Sequence, residues 1–173
     1  MKKGIEMLKA MRKRGWEEIC SNFIIGLPGD TWDDIRETFN FADNLRRDGL
    51  LDYVLFSIAT PLPGTELADT ALAGGYLPDD FDPDEFYGFG KGMITTEHFT
   101  PMELQVLRAY EWDRINFRSE EDKIRTARML GITLKELDVW RQETRRETGV
   151  HVSSADTTDV EQEENSKLVE LAT

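Results

Sequence analysis

The sequence predicts an α/β fold of parallel strand–helix units followed by a small helical extension. Three observations predict it. Two short apolar runs, 19–27 and 53–59, each end in a Pro/Gly turn. Each is followed by a capped segment with helical spacing. From Thr100 onward only helical periodicity with start and stop signals remains.

Taken in order, residues 5–14 read as a short amphipathic helix, with Ile5, Leu8 and Met11 at three-residue spacing and Gly15 as its stop. Then the period changes. Ile19-Cys20-Ser21-Asn22-Phe23-Ile24-Ile25-Gly26-Leu27, closed by Pro28-Gly29, has the pattern of a buried parallel strand in which Cys20 is a small buried side chain. Thr31 and Asp34 have the spacing of an acidic capping box. Behind them Ile35, Thr38, Phe39, Ala42 and Leu45 form one helical stripe, ended by Asp48-Gly49. Tyr53-Val54-Leu55-Phe56-Ser57-Ile58-Ala59 is a second buried strand, running into Thr60-Pro61-Leu62-Pro63-Gly64. Thr65 then starts a short helix to about Ala73, stopped by Gly74-Gly75. This alternation implies right-handed parallel βα units over residues 1–77.

Residues 78–99 read as a long irregular loop that interleaves Asp79, Asp80, Asp82, Asp84 and Glu85 with Phe81, Phe86, Tyr87 and Phe89. The helical extension covers 100–149. Thr100-Pro101-Met102-Glu103 opens a helix to about Phe117, Ser119 caps one to Leu130, and Thr133-Leu134-Lys135-Glu136 starts one ending near Gly149. Residues 150–173 are polar and acidic, the composition of a disordered tail.

Composition narrows the function classes. Lys and Arg total 21 against 34 Asp and Glu, a net charge of -13, which argues against a whole-surface binder of nucleic acid or anionic membrane. Hydrophobic residues make up 39% of the 173, enough for a core. One Cys excludes an intrachain disulfide and any intrachain multi-Cys zinc or iron–sulfur site. No apolar run approaches the roughly 20 residues of a membrane span, and a soluble protein of a reducing, cytoplasmic compartment is expected. In parallel α/β folds ligands bind outside the carboxyl ends of the strands, so the two Pro/Gly turns are where chemistry is expected, with Gly26 and Gly29 allowing close backbone approach. Plain turn chemistry explains the same residues.

Phe23-Ile24-Ile25-Gly26-Leu27-Pro28-Gly29-Asp30-Thr31 resembles the fifth-strand motif of radical S-adenosylmethionine (SAM) enzymes. Ser57-Ile58-Ala59-Thr60-Pro61-Leu62-Pro63-Gly64-Thr65-Glu66-Leu67 resembles the sixth-strand motif of the same superfamily. The pairing is most similar to the branch whose members often carry an N-terminal cobalamin-binding domain. The spacing of the motifs, the helix before the first, Gly74-Gly75-Tyr76-Leu77 after the second and Glu111–Phe117 extend the resemblance over roughly residues 4–118.

The resemblance implies a fragment of a partial parallel (β/α) barrel, its last strands, followed by the helical extension. In the family the barrel holds a 4Fe-4S cluster on a CxxxCxxC motif, and the cluster reduces SAM to a 5′-deoxyadenosyl radical. By carry-over Ile24, Ile25 and Gly26 line the adenine side, Pro28 belongs to the same cofactor-binding set, and Ser57, Ile58, Ala59 and Thr60 give apolar and backbone contacts from the next strand. The CxxxCxxC motif is absent here, as are the earlier barrel strands and a cobalamin domain. The chain is therefore expected to be a C-terminal portion that binds the adenosyl part of SAM, holds no metal, and depends on a cluster-binding N-terminal half for catalysis. An incomplete sheet also leaves an unpaired edge strand.

Two readings outside catalysis stay open. Residues 120–147 have the shape of a helix-turn-helix with Arg141, Arg145 and Arg146 facing phosphates, or equally of a hairpin packed on the α/β part. Asp33, Asp34, Glu37, Asp43 and Asp48 form either a docking surface of an interaction module or a solvated helix face. Trp112 and Ile115 share a buried helix face, and Asp113 and Arg114 form a charged fringe.

Overall fold

A βαβ unit forms the centre of the molecule, and helices cover one side of it. The structure, a computed structural model, describes residues 2–78, 80–82, 91–146 and 148. The centre of the acidic–aromatic segment (83–90) and the tail expected from residue 150 lie outside the described residues. The elements are α1 (Lys2–Lys13), β1 (Cys20–Ile25), α2 (Trp32–Arg47), β2 (Tyr53–Ile58), α3 (Glu66–Ala73), α4 (Pro101–Asn116), α5 (Glu120–Leu130) and α6 (Leu134–Arg146). The strands pair in parallel, from Cys20 opposite Tyr53 to Ile25 opposite Ile58.

The helices begin where local chemistry supplies partners for orphan amides. At α2 the Thr31 hydroxyl accepts from Asp34 N (3.3 Å) and the Asp34 carboxylate accepts from Thr31 N (2.8 Å). Thr100 with Glu103 repeats the box at α4, and Thr133 with Glu136 makes the same pair of bonds at the start of α6. Hydrogen bonds from the Thr31 side chain and backbone hold the Asp34 carboxyl below its ordinary range.

The two faces of the sheet differ. Phe23, Ile25, Val54, Phe56 and Ile58 share one face by strand alternation. Against it packs the α2 stripe of Ile35, Phe39 and Ala42, with the rings of Phe39 and Phe56 4.6 Å apart. The other face carries Cys20, Asn22 and Ile24 from β1 and Tyr53, Leu55 and Ser57 from β2. Only Tyr53 is buried there, by Trp112, whose Nε1–H donates to the Tyr53 hydroxyl at 2.8 Å.

This corrects the reading of β1 as a strand buried on both faces. Cys20, Asn22 and Ile24 are exposed, and Cys20 is not a small core residue. Apolar residues at both parities show that both faces are apolar; among the described residues only one is covered.

The edges differ as well. Asn116, fully buried at the end of α4, accepts from Val54 N and donates to Val54 O, both at 2.9 Å, and so takes the place of a neighbouring strand at Val54. Cys20, Asn22 and Ile24 turn their backbone groups away from β2 and have no backbone partner among the described residues.

Buried carboxylates tie the helices together. Asp43 of α2 takes Arg47, Arg114 and Arg118, so it does not belong to the solvated face of Asp33, Asp34, Glu37 and Asp48. Arg46 reaches Asp122 at 3.0 Å and the Asn116 carbonyl at 3.2 Å. Asp113 is likewise buried, under Arg141 and Arg145. Both guanidiniums are thereby engaged by Asp113, Arg141 largely buried and Arg145 still exposed, and α5–α6 sits as a hairpin with Leu137 in the core. Trp112 and Ile115 share the buried face of α4 as the spacing predicts. No helix of the described residues is long and apolar enough to cross a membrane.

Candidate functional site

The carboxyl ends of β1 and β2 lie side by side, each closed by its own turn. After β1, the Asp30 carboxylate accepts from Gly26 N (3.0 Å) and Leu27 N (2.9 Å), and Asp30 N returns to Leu27 O. Gly26 has φ +79, and a Cβ built there would stand 2.5 Å from Leu104 Cδ1. The close approach at Gly26 is therefore made by α4. Gly29, at φ +94, faces open space. After β2, Ala59 N donates to Ile25 O at 2.8 Å, and the Thr60 hydroxyl donates to Ile58 O at 3.1 Å.

The eight residues singled out by the strand motifs separate into three sets. Ile25, Gly26, Ile58 and Ala59 are buried, with the two isoleucines in the core facing α2. Pro28 and Thr60 lie partly exposed in the turns. Ile24 (56% exposed) and half-buried Ser57 stand opposite each other on the bare face of the sheet.

Beside that pair stand two residues the motif reading missed, Asn22 and Leu55, themselves register partners. The four make a checkerboard. Exposed Ile24 and Leu55 occupy one diagonal; Asn22 and Ser57 occupy the other and hydrogen-bond at 3.0 Å from Nδ2 to Oγ. Strand alternation is the signal that finds them, because residues i and i+2 share a face. Two apolar side chains on a flat sheet beside an amide and a hydroxyl can hold a planar heterocycle by its face and by its edge.

Among the described residues no three His, Cys, Asp or Glu side chains converge on a metal-sized site. Burial, followed by the nearby Asp52 and Glu18 carboxylates, pushes the Cys20 thiol up, which favours the protonated form over a ligating thiolate. A hollow of about 710 Å³ lies at the opposite, amino end of the strands, among Arg12, Trp16, Asp52, Arg125 and Arg128. There Asp52 takes Arg12, Ile19 N and, at 3.5 Å, Arg125.

No family model and no solved structure matches this chain. Curated proteins do. An uncharacterized methyltransferase of Pyrococcus horikoshii is 40% identical over 73 residues, 42% of this chain and 15% of the relative. The tRNA-2-methylthio-N(6)-dimethylallyladenosine synthase of Methylobacillus flagellatus is 37% identical over 83 residues, 47% of this chain and 15% of the relative. The ribosomal protein uS12 methylthiotransferase of Deinococcus radiodurans is 27% identical over 146 residues, 74% of this chain and 27% of the relative. The chain thus spans between 15% and 27% of the length of these relatives. It is related, over part of its length, to methylthiotransferases and through them to the radical SAM superfamily.

Proposed function

We propose that this chain supplies the adenosyl-binding wall of a radical SAM enzyme, with β1 and β2 as the last strands of a partial (β/α) barrel and their bare face turned to its lumen. The checkerboard of Asn22, Ile24, Leu55 and Ser57 carries the reading. A parallel sheet is normally covered on both faces, and apolar Ile24 and Leu55 standing in the open are what a ligand-lined interior requires. The adenine ring lies on Ile24 and Leu55. Asn22, with one acceptor and one amide donor, reads its edge, exchanging its bond to Ser57 for bonds to the base. Pro28 and Thr60 bound the site from the turns, while Ile25, Gly26, Ile58 and Ala59 act as its rigid backing.

The residues fit the adenosyl group and do not fit the iron–sulfur cluster, since one cysteine cannot supply three ligands. When bound, SAM supplies the family's radical chemistry; this chain's part is to hold and orient the nucleoside. In our reading the cluster comes from a partner half, in the same polypeptide or a separate one, and the chain by itself does not catalyse the reaction. A cytoplasmic location goes with that reading, and a cobalamin-linked reaction finds no residue here to argue from.

Adenosine is the probe that tests the wall without the cluster. Titrated into the full chain, it shifts the Asn22 side-chain amide and the Ile24 and Leu55 methyl resonances, and Leu55→Asp weakens that binding at least about fivefold while the chain stays folded. Shifts confined to other residues, or equal binding by Leu55→Asp, overturn the proposal.

A further inference from the structure

We propose that the open edge of β1 is a docking seam for an extended strand of alternating apolar and basic side chains, and that Asp34 and Glu37 select the basic ones. This deepens the barrel reading, on which the parallel direction of the incoming strand rests, by naming the chemistry of the partner.

Three observations converge. Ile25 O accepts from Ala59 N, so Ser21, Phe23 and Ile25 spend their backbone groups on β2, and by alternation those of Cys20, Asn22 and Ile24 point outward. The far edge of the same two-stranded sheet is covered by α4, whose Asn116 bonds both backbone groups of Val54, which leaves β1 as the side open to addition. Along that open edge runs a hollow of about 420 Å³ with an apolar floor of Phe23, Ile24 and Phe41 and a polar rim of Asp34, Glu37 and Thr38. The rings of Phe23 and Phe41 meet edge to face at 6.2 Å, forming one continuous floor.

The rim decides the occupant. Asp34 is held ionised by its hydrogen bonds from Thr31, and Glu37 has no ion-pair partner among the described residues. Asp33, by contrast, is already paired with Arg36 at 2.8 Å. By alternation the Lys and Arg side chains share the α2 face, where their stems lie across Phe23 and Phe41 and their charges meet the two carboxylates, while the apolar ones stand beside Ile24 on the other face. A second copy of this chain, adding edge to edge, would bring Asp34 and Glu37 against their own equivalents, and like charges in contact oppose it.

Amide hydrogen exchange on the full chain tests this with two capped peptides matching the six residues of β1, one alternating Val with Lys and one alternating Val with Glu. The Val/Lys peptide slows exchange at Asn22 and Ile24 about tenfold, and the Val/Glu peptide slows it less than about twofold. Glu37→Lys, at an exposed helix position, reverses the preference. Equal protection by both peptides, protection by neither, or protection that grows with protein concentration when no peptide is present overturns the proposal. No SAM or adenosine is in the experiment, so failure of the adenosine site leaves this result intact, and failure here leaves the adenosine titration standing.

Discussion

Replacing Asn116 by Ala should unfasten β2 from α4. Asn116 is fully buried; its amide oxygen accepts from Val54 N, and its NH2 donates to Val54 O and to Trp112 O, each at 2.9 Å. The substitution orphans both backbone groups of Val54, a residue that is itself fully buried. An unsatisfied buried polar group costs about 1–3 kcal/mol, so two cost about 2–6. The small space left by the side chain admits partial relief, which gives an expected loss of about 3 kcal/mol. In urea, with a slope of about 1.5–2 kcal/mol/M, the unfolding midpoint falls by roughly 1.5–2 M. Exchange of the Val54 amide should rise with it, toward that of the Asn22 amide, which faces away from β2. A loss below about 1 kcal/mol, or a Val54 amide as protected as before, would refute the claim that Asn116 stands in for a strand.

Gly26→Ala should destabilise by about 2–4 kcal/mol, because φ +79 disfavours a side chain and the added Cβ must displace the buried Leu104; thermal denaturation reads it. Asp113→Asn should cost about 2 kcal/mol at neutral pH by breaking the link from α4 to Arg141 and Arg145 of α6. Burial raises the Asp113 carboxyl, but the hydrogen bonds from Arg141 and Arg145 outweigh it and hold the group below its ordinary value of 3.8. Its contribution is therefore complete above that value and lost as pH falls through the depressed one. The stability gap between wild type and Asp113→Asn should be flat from about pH 5 to 8 and close in more acidic solution. A gap that widens on acidification contradicts the ion-pair account.

How much was legible in the sequence follows from the range of the interactions involved. The capping boxes of α2 and α4, the helix stops at Asp48 and Gly131 and the two strands span a few residues each, and alternation and caps are written at that range. The two strand motifs were enough to indicate the superfamily, because both lie on contiguous segments. Three matters needed the tertiary structure. Burial of β1 was misread because periodicity reports which side chains are apolar, while coverage depends on what packs above them. Asp43 looked solvated among its acidic neighbours, and only the arrival of Arg114 and Arg118 from more than 70 positions along the chain makes it a buried counter-ion. The checkerboard stayed hidden for the same reason: Asn22 and Leu55 are 33 positions apart and meet only through the parallel register. The sequence by itself determined the local elements and the likeness of its two strand motifs to those of the radical SAM superfamily. Which face of the sheet stays bare, which edge Asn116 seals and which side chains share the open face were decided by packing between distant segments, where no local pattern reaches.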